Sequence, residues 1–281
     1  MDYFIINKII DEPIFYFKGT RDDPGINIFN CKKTGAFVLD KIKKQNYENN
    51  GLDYWNSNKI NEARNNTYDD DIRRYTTIKD MQFDSILDFG CGNGGLLKII
   101  SDNSDIKCFG IELNKKMINL LNSEGINVVS NINDIPNHIN LKCIMLNHVL
   151  EHLSDPIKIL RQIKKRMTNK TLLIIEVPHA GDILLNHYKS DKFKKFTFWS
   201  EHLILHSEKS LLNLLNIVGF SSIEVKYYQR YNIFNHLFWL SDGKPGGHKI
   251  TKFKDNNLIK SYNNFLVNNK NTDTLIAYCY I

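Results

Sequence analysis

From residue 84 to the C-terminus, short apolar runs alternate with longer stretches in which apolar residues recur every three or four positions. The runs predict strands at 84–88, 107–111, 126–130, 142–146, 171–177, 222–228 and 274–280, because a few consecutive apolar residues bounded by turn formers suit a strand buried on both faces. Between them, Gly94–Ser101, Lys115–Ser123, Pro156–Met167 and Glu208–Val218 predict amphipathic helices. Ile157, Leu160 and Ile163 mark one sheet-facing stripe, and Gly219 is placed to end the last helix. Strands alternating with helices imply an α/β fold around a doubly wound sheet.

Two stretches break this rhythm, 179–206 and 229–272, rich in aromatics, histidines and glycines. Ligands of open α/β sheets sit outside the carboxyl ends of the strands, so long insertions after strands are expected to form a cap over a site. Residues 1–80 carry no clear period until Asn56–Asp80, where a helix is expected. Its Asp69-Asp70-Asp71 run beside Arg73-Arg74 reads as a solvated helix face rather than a metal site.

Composition narrows the class only slightly. At 281 residues with 42% hydrophobic and 24% charged positions, the chain can bury a sizeable core, and it has no run of about 18 apolar residues suited to spanning a bilayer. The N-terminus opens Met1-Asp2-Tyr3-Phe4 without a basic segment leading into an apolar one, and five widely spaced cysteines suggest reduced thiols, so a soluble, cytoplasmic protein is the expectation. The charge of +6 comes from lysines scattered among asparagine and isoleucine, which reads as a composition bias rather than a nucleic-acid partner. One local cluster, Lys189, Lys192, Lys194 and Lys195, suits an anionic small-molecule acceptor such as a nucleotide-linked sugar.

The first strand runs into Asp88-Phe89-Gly90-Cys91-Gly92-Asn93-Gly94-Gly95. Glycines after a strand and before a helix let the backbone turn sharply and a ligand approach the helix start, which suits dinucleotides as well as other adenosine ligands. Asp88 separates these readings, since a carboxylate there would repel a pyrophosphate but attract an ammonium or sulfonium. Glu112, with Leu113 beside it, closes the second strand where a carboxylate can accept both ribose hydroxyls. Asn133-Asp134-Ile135 after the third strand and Asn147-His148 after the fourth either frame an adenine or form ordinary turns.

Taken together, Asp88-x-Gly-x-Gly, Glu112, Asn133-Asp134 and the stretch Asn147–Pro156 resemble the class I S-adenosylmethionine-dependent methyltransferases over about 84–228. The resemblance implies a Rossmann-like seven-stranded sheet of order 3-2-1-4-5-7-6 with helices on both faces and residues 274–280 as the antiparallel strand. It implies S-adenosyl-L-methionine as cofactor, held by Asp88, Gly90, Gly92, Glu112, Leu113, Asp134, Ile135, Asn147 and His148. Residues 81–281 would form the methyltransferase domain, with 1–80 an extension.

More narrowly, Glu176-Val177-Pro178-His179 and Phe198-Trp199-Ser200-Glu201-His202 look like segments of the sugar C-methyltransferases and related polysaccharide-biosynthesis enzymes. That likeness implies His202, Glu201 and His179 as acceptor-side catalytic residues, with His202 the preferred base. The competing reading makes His202 and His206 one polar helix face. Trp199 stands where those enzymes carry tyrosine, so O- and N-methylation stay open beside C-methylation. Their N-terminal zinc region survives only as Cys31-Lys32-Lys33-Thr34-Gly35, a degenerate remnant, and no metal site is expected, whether there or at His148, Glu151 and His152. His236 and His248 are further acceptor candidates. The alternatives of other classes are an NAD-dependent oxidoreductase and a non-catalytic nucleotide or nucleic-acid binder.

Overall fold

The computed structural model describes residues 1–43, 57–249 and 255–281. Residues 44–56, which include the expected helix start at Asn56, and 250–254 of the second insertion lie outside the described residues.

The chain opens with α1 (Asp2–Ile6), β1 (Pro13–Lys18), β2 (Asn27–Cys31) and β3 (Phe37–Leu39), three short antiparallel strands. No period announced them, because Pro13-Ile-Phe-Tyr-Phe-Lys is almost uniformly apolar and its strand is only partly buried on both faces. The return from β2 to β3 contains Lys32–Gly35, and Asp11 holds it: its carboxylate accepts from Lys33 N and Thr34 N, both at 2.8 Å, and from Thr34 Oγ1 at 2.7 Å.

Then come α2 (Ser57–Ile78), β4 (Ser85–Phe89), α3 (Gly95–Asn103), β5 (Lys107–Ile111), α4 (Lys115–Ser123), β6 (Asn127–Val129), β7 (Cys143–Asn147), α5 (Pro156–Lys165) and β8 (Leu172–Pro178). The first insertion contributes α6 (Ile183–Asn186), α7 (Asp191–Thr197) and β9 (Ile204–Leu205). After α8 (Glu208–Val218) and β10 (Ser222–Tyr228), the second contributes α9 (Ile233–Ser241) and α10 (Asn256–Asn268) before β11 (Thr274–Tyr280).

The main sheet has the order β6-β5-β4-β7-β8-β11-β10, parallel except for β11, which runs antiparallel to both neighbours. This is the expected seven-stranded order. Its strands are apolar throughout because both faces are covered. In β7, Ile144 and Leu146 face one core with Leu160 of α5 and Leu214 of α8, while Cys143 and Met145 face the other with Leu97 of α3 and Ile78 of α2. Burying one Leu or Ile side chain contributes roughly 1.5–3 kcal/mol, so these stripes fix each helix to its face. Local signals set the helix ends: Asp155 caps α5 ahead of Pro156, Ser207 and Ser210 form a capping box on α8, and Gly219 ends α8 at φ 85°.

The first insertion does not end as a free lid. Its β9 pairs with β3, Phe37 opposite Leu205 and Val38 opposite Ile204, and so completes a four-stranded sheet β1-β2-β3-β9. Leu203 N also donates to Glu151 O at 2.8 Å. The N-terminal sheet thereby clamps the Glu201–His202 turn onto the loop after β7. No helix among the described residues is long and apolar enough to cross a membrane.

Candidate active site

The carboxyl ends of β4, β5 and β7 build one half of the site. Gly90 sits at φ 79°, and a Cβ there would lie 2.5 Å from Val149 Cγ2, so both conformation and space require glycine. Gly92, at φ 53°, donates its N–H to Glu112 Oε2 at 3.0 Å. Glu112 Oε1 accepts from Leu113 N at 2.7 Å and Asn114 N at 2.9 Å. Backbone thus aims the carboxylate while leaving it acceptor capacity for hydroxyls.

Asp88 lies beneath the loop, only 5% exposed, and its Oδ1 accepts from Asn147 Nδ2 at 3.1 Å. Burial pushes this carboxyl up to about 7, against the pull of the Arg74 guanidinium and helped by Asp71. Asn147 Oδ1 is buried with no hydrogen-bond partner among the described residues. A buried carboxyl group beside an unsatisfied carbonyl oxygen is electrostatically suited to a cationic group that donates hydrogen bonds.

A cleft of about 380 Å³ has Gly90, Glu112, Leu113, Ile132 and His148 in its walls, whereas Asp88, Gly92 and Asn147, also expected at the site, do not line it. Asp134 and Ile135, expected here, are not in its walls. Asn131 caps the single turn Ile132–Asp134 by accepting from Asn133 N at 2.9 Å, which presents Asn131 and Ile132 to the cleft, leaves Asp134 exposed and buries Ile135 in the core.

His148 forms the wall between this cleft and a second cavity. Its backbone is left-handed at φ 54°, a conformation that costs a non-glycine residue on the order of 1 kcal/mol and persists where surrounding bonds impose it. Here His148 N donates to Glu176 O at 2.8 Å, and the ring lies 3.3 Å from Glu151 Oε1 and 3.2 Å from Glu176 Oε1. Burial disfavours the imidazolium, but the two carboxylates outweigh it and raise the histidine's pKa, with Arg230 Nη1, 3.0 Å from Nε2, opposing them.

Glu176, 1% exposed, also accepts from Arg73 at 2.8 Å and Arg74 at 2.7 Å, and these contacts with His148 hold its carboxyl well below the usual range despite burial. Asp70 pairs with Arg73 and Arg230, and Asp71 with Arg74. The Asp70–Arg74 stretch of α2 is therefore not a solvated helix face. Only Asp69 is exposed; Asp71 is 4% exposed and the others knit α2 to the strand ends. Spacing within α2 could not reveal this, because Glu176 and Arg230, which answer these charges from outside the helix, lie about a hundred or more residues away.

The second cavity, about 200 Å³, lies under both insertions. Phe193, Phe196, Tyr231 and Trp239 supply apolar walls, and His179, His202, Asp182, Arg230, Asn235 and His236 supply polar groups. His179 Nδ1 bonds to Thr272 O at 2.9 Å, which makes Nδ1 the protonated nitrogen and leaves Nε2 a free lone pair. Burial lowers the pKa of both His179 and His202 to about 4. Gly181 is needed here, since a Cβ would lie 2.2 Å from the His179 ring.

Glu201 is half-buried but does not line the cavity, and His202 packs edge-on against His152, ring centres 4.9 Å apart, and against Trp199 at 5.3 Å. His202 and His206 do not share a helix face: His202 lies on a turn, and His206, fully buried, follows β9 and bridges to His179. His236 lines the cavity, whereas His248 stands behind it on Asn235 Oδ1 at 3.1 Å. None of Lys189, Lys192, Lys194 and Lys195 lines it. Helix α7 turns Phe193 and Phe196 inward, and Lys194 pairs with Asp191 near the Tyr16 and Phe17 rings. The cation in the cavity is Arg230, which sequence reasoning passed over; its only signal was a position two residues past a strand end.

Residues 60–225 match the family described as "Methyltransferase domain". Among solved structures, an S-adenosylmethionine-dependent methyltransferase from Archaeoglobus fulgidus aligns with a TM-score of 0.52 at 18% identity, over 79% of this chain and 94% of its own. A methyltransferase solved with the Haloferax volcanii Trm112 methyltransferase activator aligns with a TM-score of 0.52 at 13% identity, over 78% and 93%. No curated protein matches by sequence.

Proposed function

Since the chain belongs to the methyltransferase-domain family and is an S-adenosylmethionine-dependent methyltransferase, we propose that its acceptor is a small polar ring compound, a sugar in the first instance, bound in the cavity under the two insertions. The observation that carries this reading is that the donor cleft and the acceptor cavity meet at His148. Aromatic faces from Trp239 and Phe196 beside hydroxyl partners such as His179, Asn235 and Asp182 suit a sugar ring. The lysine cluster that favoured an anionic acceptor lies outside the cavity, and Arg230 is already paired with Asp70, so a strongly anionic group is not part of the proposal.

On the donor side, Asp88 and the free Asn147 Oδ1 take the ammonium, Glu112 the ribose hydroxyls, and Leu113 and Ile132 the adenine faces. In the reaction the bond from sulfur to methyl carbon breaks as the acceptor atom bonds to that carbon, and the acceptor proton leaves to a base. His179 is the preferred base, because its Nε2 lone pair is fixed by the Thr272 bond, whereas His202 is packed against His152 and Trp199. A nitrogen with a pKa near 4 is a weak base, so alignment contributes most: positioning is worth up to about 10⁵–10⁸ M in effective molarity, against roughly 10²–10⁴-fold for a base.

Calorimetry with S-adenosylmethionine and its demethylated product tests the donor assignment, and Asp88→Ala is expected to weaken both. A screen of free and nucleotide-linked sugars, read by transfer of labelled methyl, tests the acceptor; methylation confined to acceptors without a polar ring would overturn the sugar reading.

A further inference from the structure

Glu151, His152 and His202 come together where the loop after β7 meets the turn before β9. One ligating atom from each lies within 4.8 Å of the others. Glu151 is wholly buried, and three atoms of the cluster, Glu151 Oε2, His152 Nδ1 and His202 Nδ1, are buried with no hydrogen-bond partner among the described residues. Buried polar atoms in folded proteins are almost always paired, so three orphans in one cluster mark a site that lacks its ligand. An acceptor-only carboxylate oxygen and two imidazoles share one need, a cation with ligating preferences for nitrogen and oxygen.

We infer that Glu151, His152 and His202 hold a divalent first-row transition-metal ion of the zinc class. Two imidazoles and one carboxylate are the donor set of catalytic rather than structural sites, leaving a coordination position open for water or substrate. His148 is the outer-shell partner, its Nδ1 3.3 Å from Glu151 Oε1, which fixes the carboxylate's orientation. The surroundings are built for the purpose. The Leu203 N to Glu151 O bond and the pairing of β9 with β3 hold His202 near Glu151, and Trp199, with Arg21 4.3 Å over its ring, packs against His202.

Placement also says what the ion would serve. His152 lines the donor cleft and His202 the acceptor cavity, so the ion lies in the wall they share. On the methyl-transfer reading, an oxygen of the acceptor reaches the open position. The binding claim itself stands apart from that reading, because it is tested with metal alone.

The 281-residue chain, stripped with a chelator, is titrated with Zn²⁺ in a calorimeter and with Co²⁺ by visible absorption. One ion per chain, with Co²⁺ bands of a low-coordinate nitrogen and oxygen site, is the expected result. His152→Ala and His202→Ala, each checked for folding by circular dichroism, are expected to weaken binding by more than the roughly 10- to 100-fold that losing an outer-shell partner costs. If His202→Ala is poorly folded, His152→Ala carries the test, since that side chain is partly exposed. No binding by wild type, or equal binding by the folded variants, overturns the inference. S-adenosylmethionine binding measured on the same samples reports separately on the methyltransferase reading.

Discussion

The proposed donor half and the proposed acceptor half of this molecule are held together in different ways. The donor half is made by strand ends adjacent in one sheet, and its key contacts are local: Glu112 is aimed by the N–H groups of Gly92, Leu113 and Asn114. The acceptor half draws His148, His179, His202, Arg230 and Trp239 from separate stretches of chain, and only helix packing and the small N-terminal sheet bring them together. A site assembled from neighbouring backbone tolerates sequence drift around it. One assembled from distant side chains depends on every element that carries them, and at the seam between the halves Glu176 gathers Arg73, Arg74 and His148.

That seam offers the largest effect. Glu176→Ala takes the buried carboxylate from Arg73, Arg74 and His148 and leaves them only Asp70, Asp71 and Glu151, and breaking a buried pair in this way typically costs about 3–5 kcal/mol. A drop of that size in denaturant unfolding is expected, with both donor and acceptor binding impaired; a stable variant that loses only one would show the halves to be independent.

Next in size is Glu112→Ala. Loss of a carboxylate's hydrogen bonds to two hydroxyls is worth about 1.5–3 kcal/mol, so affinity for the donor should fall on the order of 10- to 150-fold by calorimetry while the thermal midpoint moves little. His179→Ala is expected to lower kcat by about 10²-fold at most, with KM for S-adenosylmethionine unchanged. An unaltered kcat would move proton removal away from His179.

A pH comparison sharpens the contrast further, because burial, with Asp273 beside it, pushes the carboxyl of Asp182 in the acceptor half from 3.8 up to about 8. The folded chain then keeps a proton that the unfolded chain releases near pH 4. That stabilisation is complete below pH 4 and is lost as pH rises through about 8. Asp182→Asn removes the dependence and still caps α6, so its thermal midpoint relative to wild type should climb between pH 5 and pH 8. The smallest effect is expected from Lys192→Ala with Lys195→Ala: both side chains are exposed, and the pair should change acceptor KM by no more than about threefold, as surface charges outside a cavity are largely screened. A larger rise, abolished by salt, would restore an anionic acceptor.

Much of this was readable from the chain. Seven apolar runs and the helical stripes between them determined the main sheet, since a strand buried on both faces must be apolar wherever it lies in the fold. The meeting of Gly92 with Glu112 was legible because both lie just past the ends of adjacent strands, β4 and β5. The four-stranded sheet was not, its strands being short and without alternation, and Asp134 and Ile135 were placed one turn too far because a single cap at Asn131 decides which residues face the cleft.

Charge was the least readable property. An acidic and basic run on α2 looks the same in sequence whether water or Glu176 and Arg230 answers it, and His202 carries no mark of its contact with Glu151 and His152. Periodicity reports the medium a segment faces, which the sequence fixes segment by segment. The partner of a buried charge is a matter of which distant segments touch, and only the tertiary structure decides that.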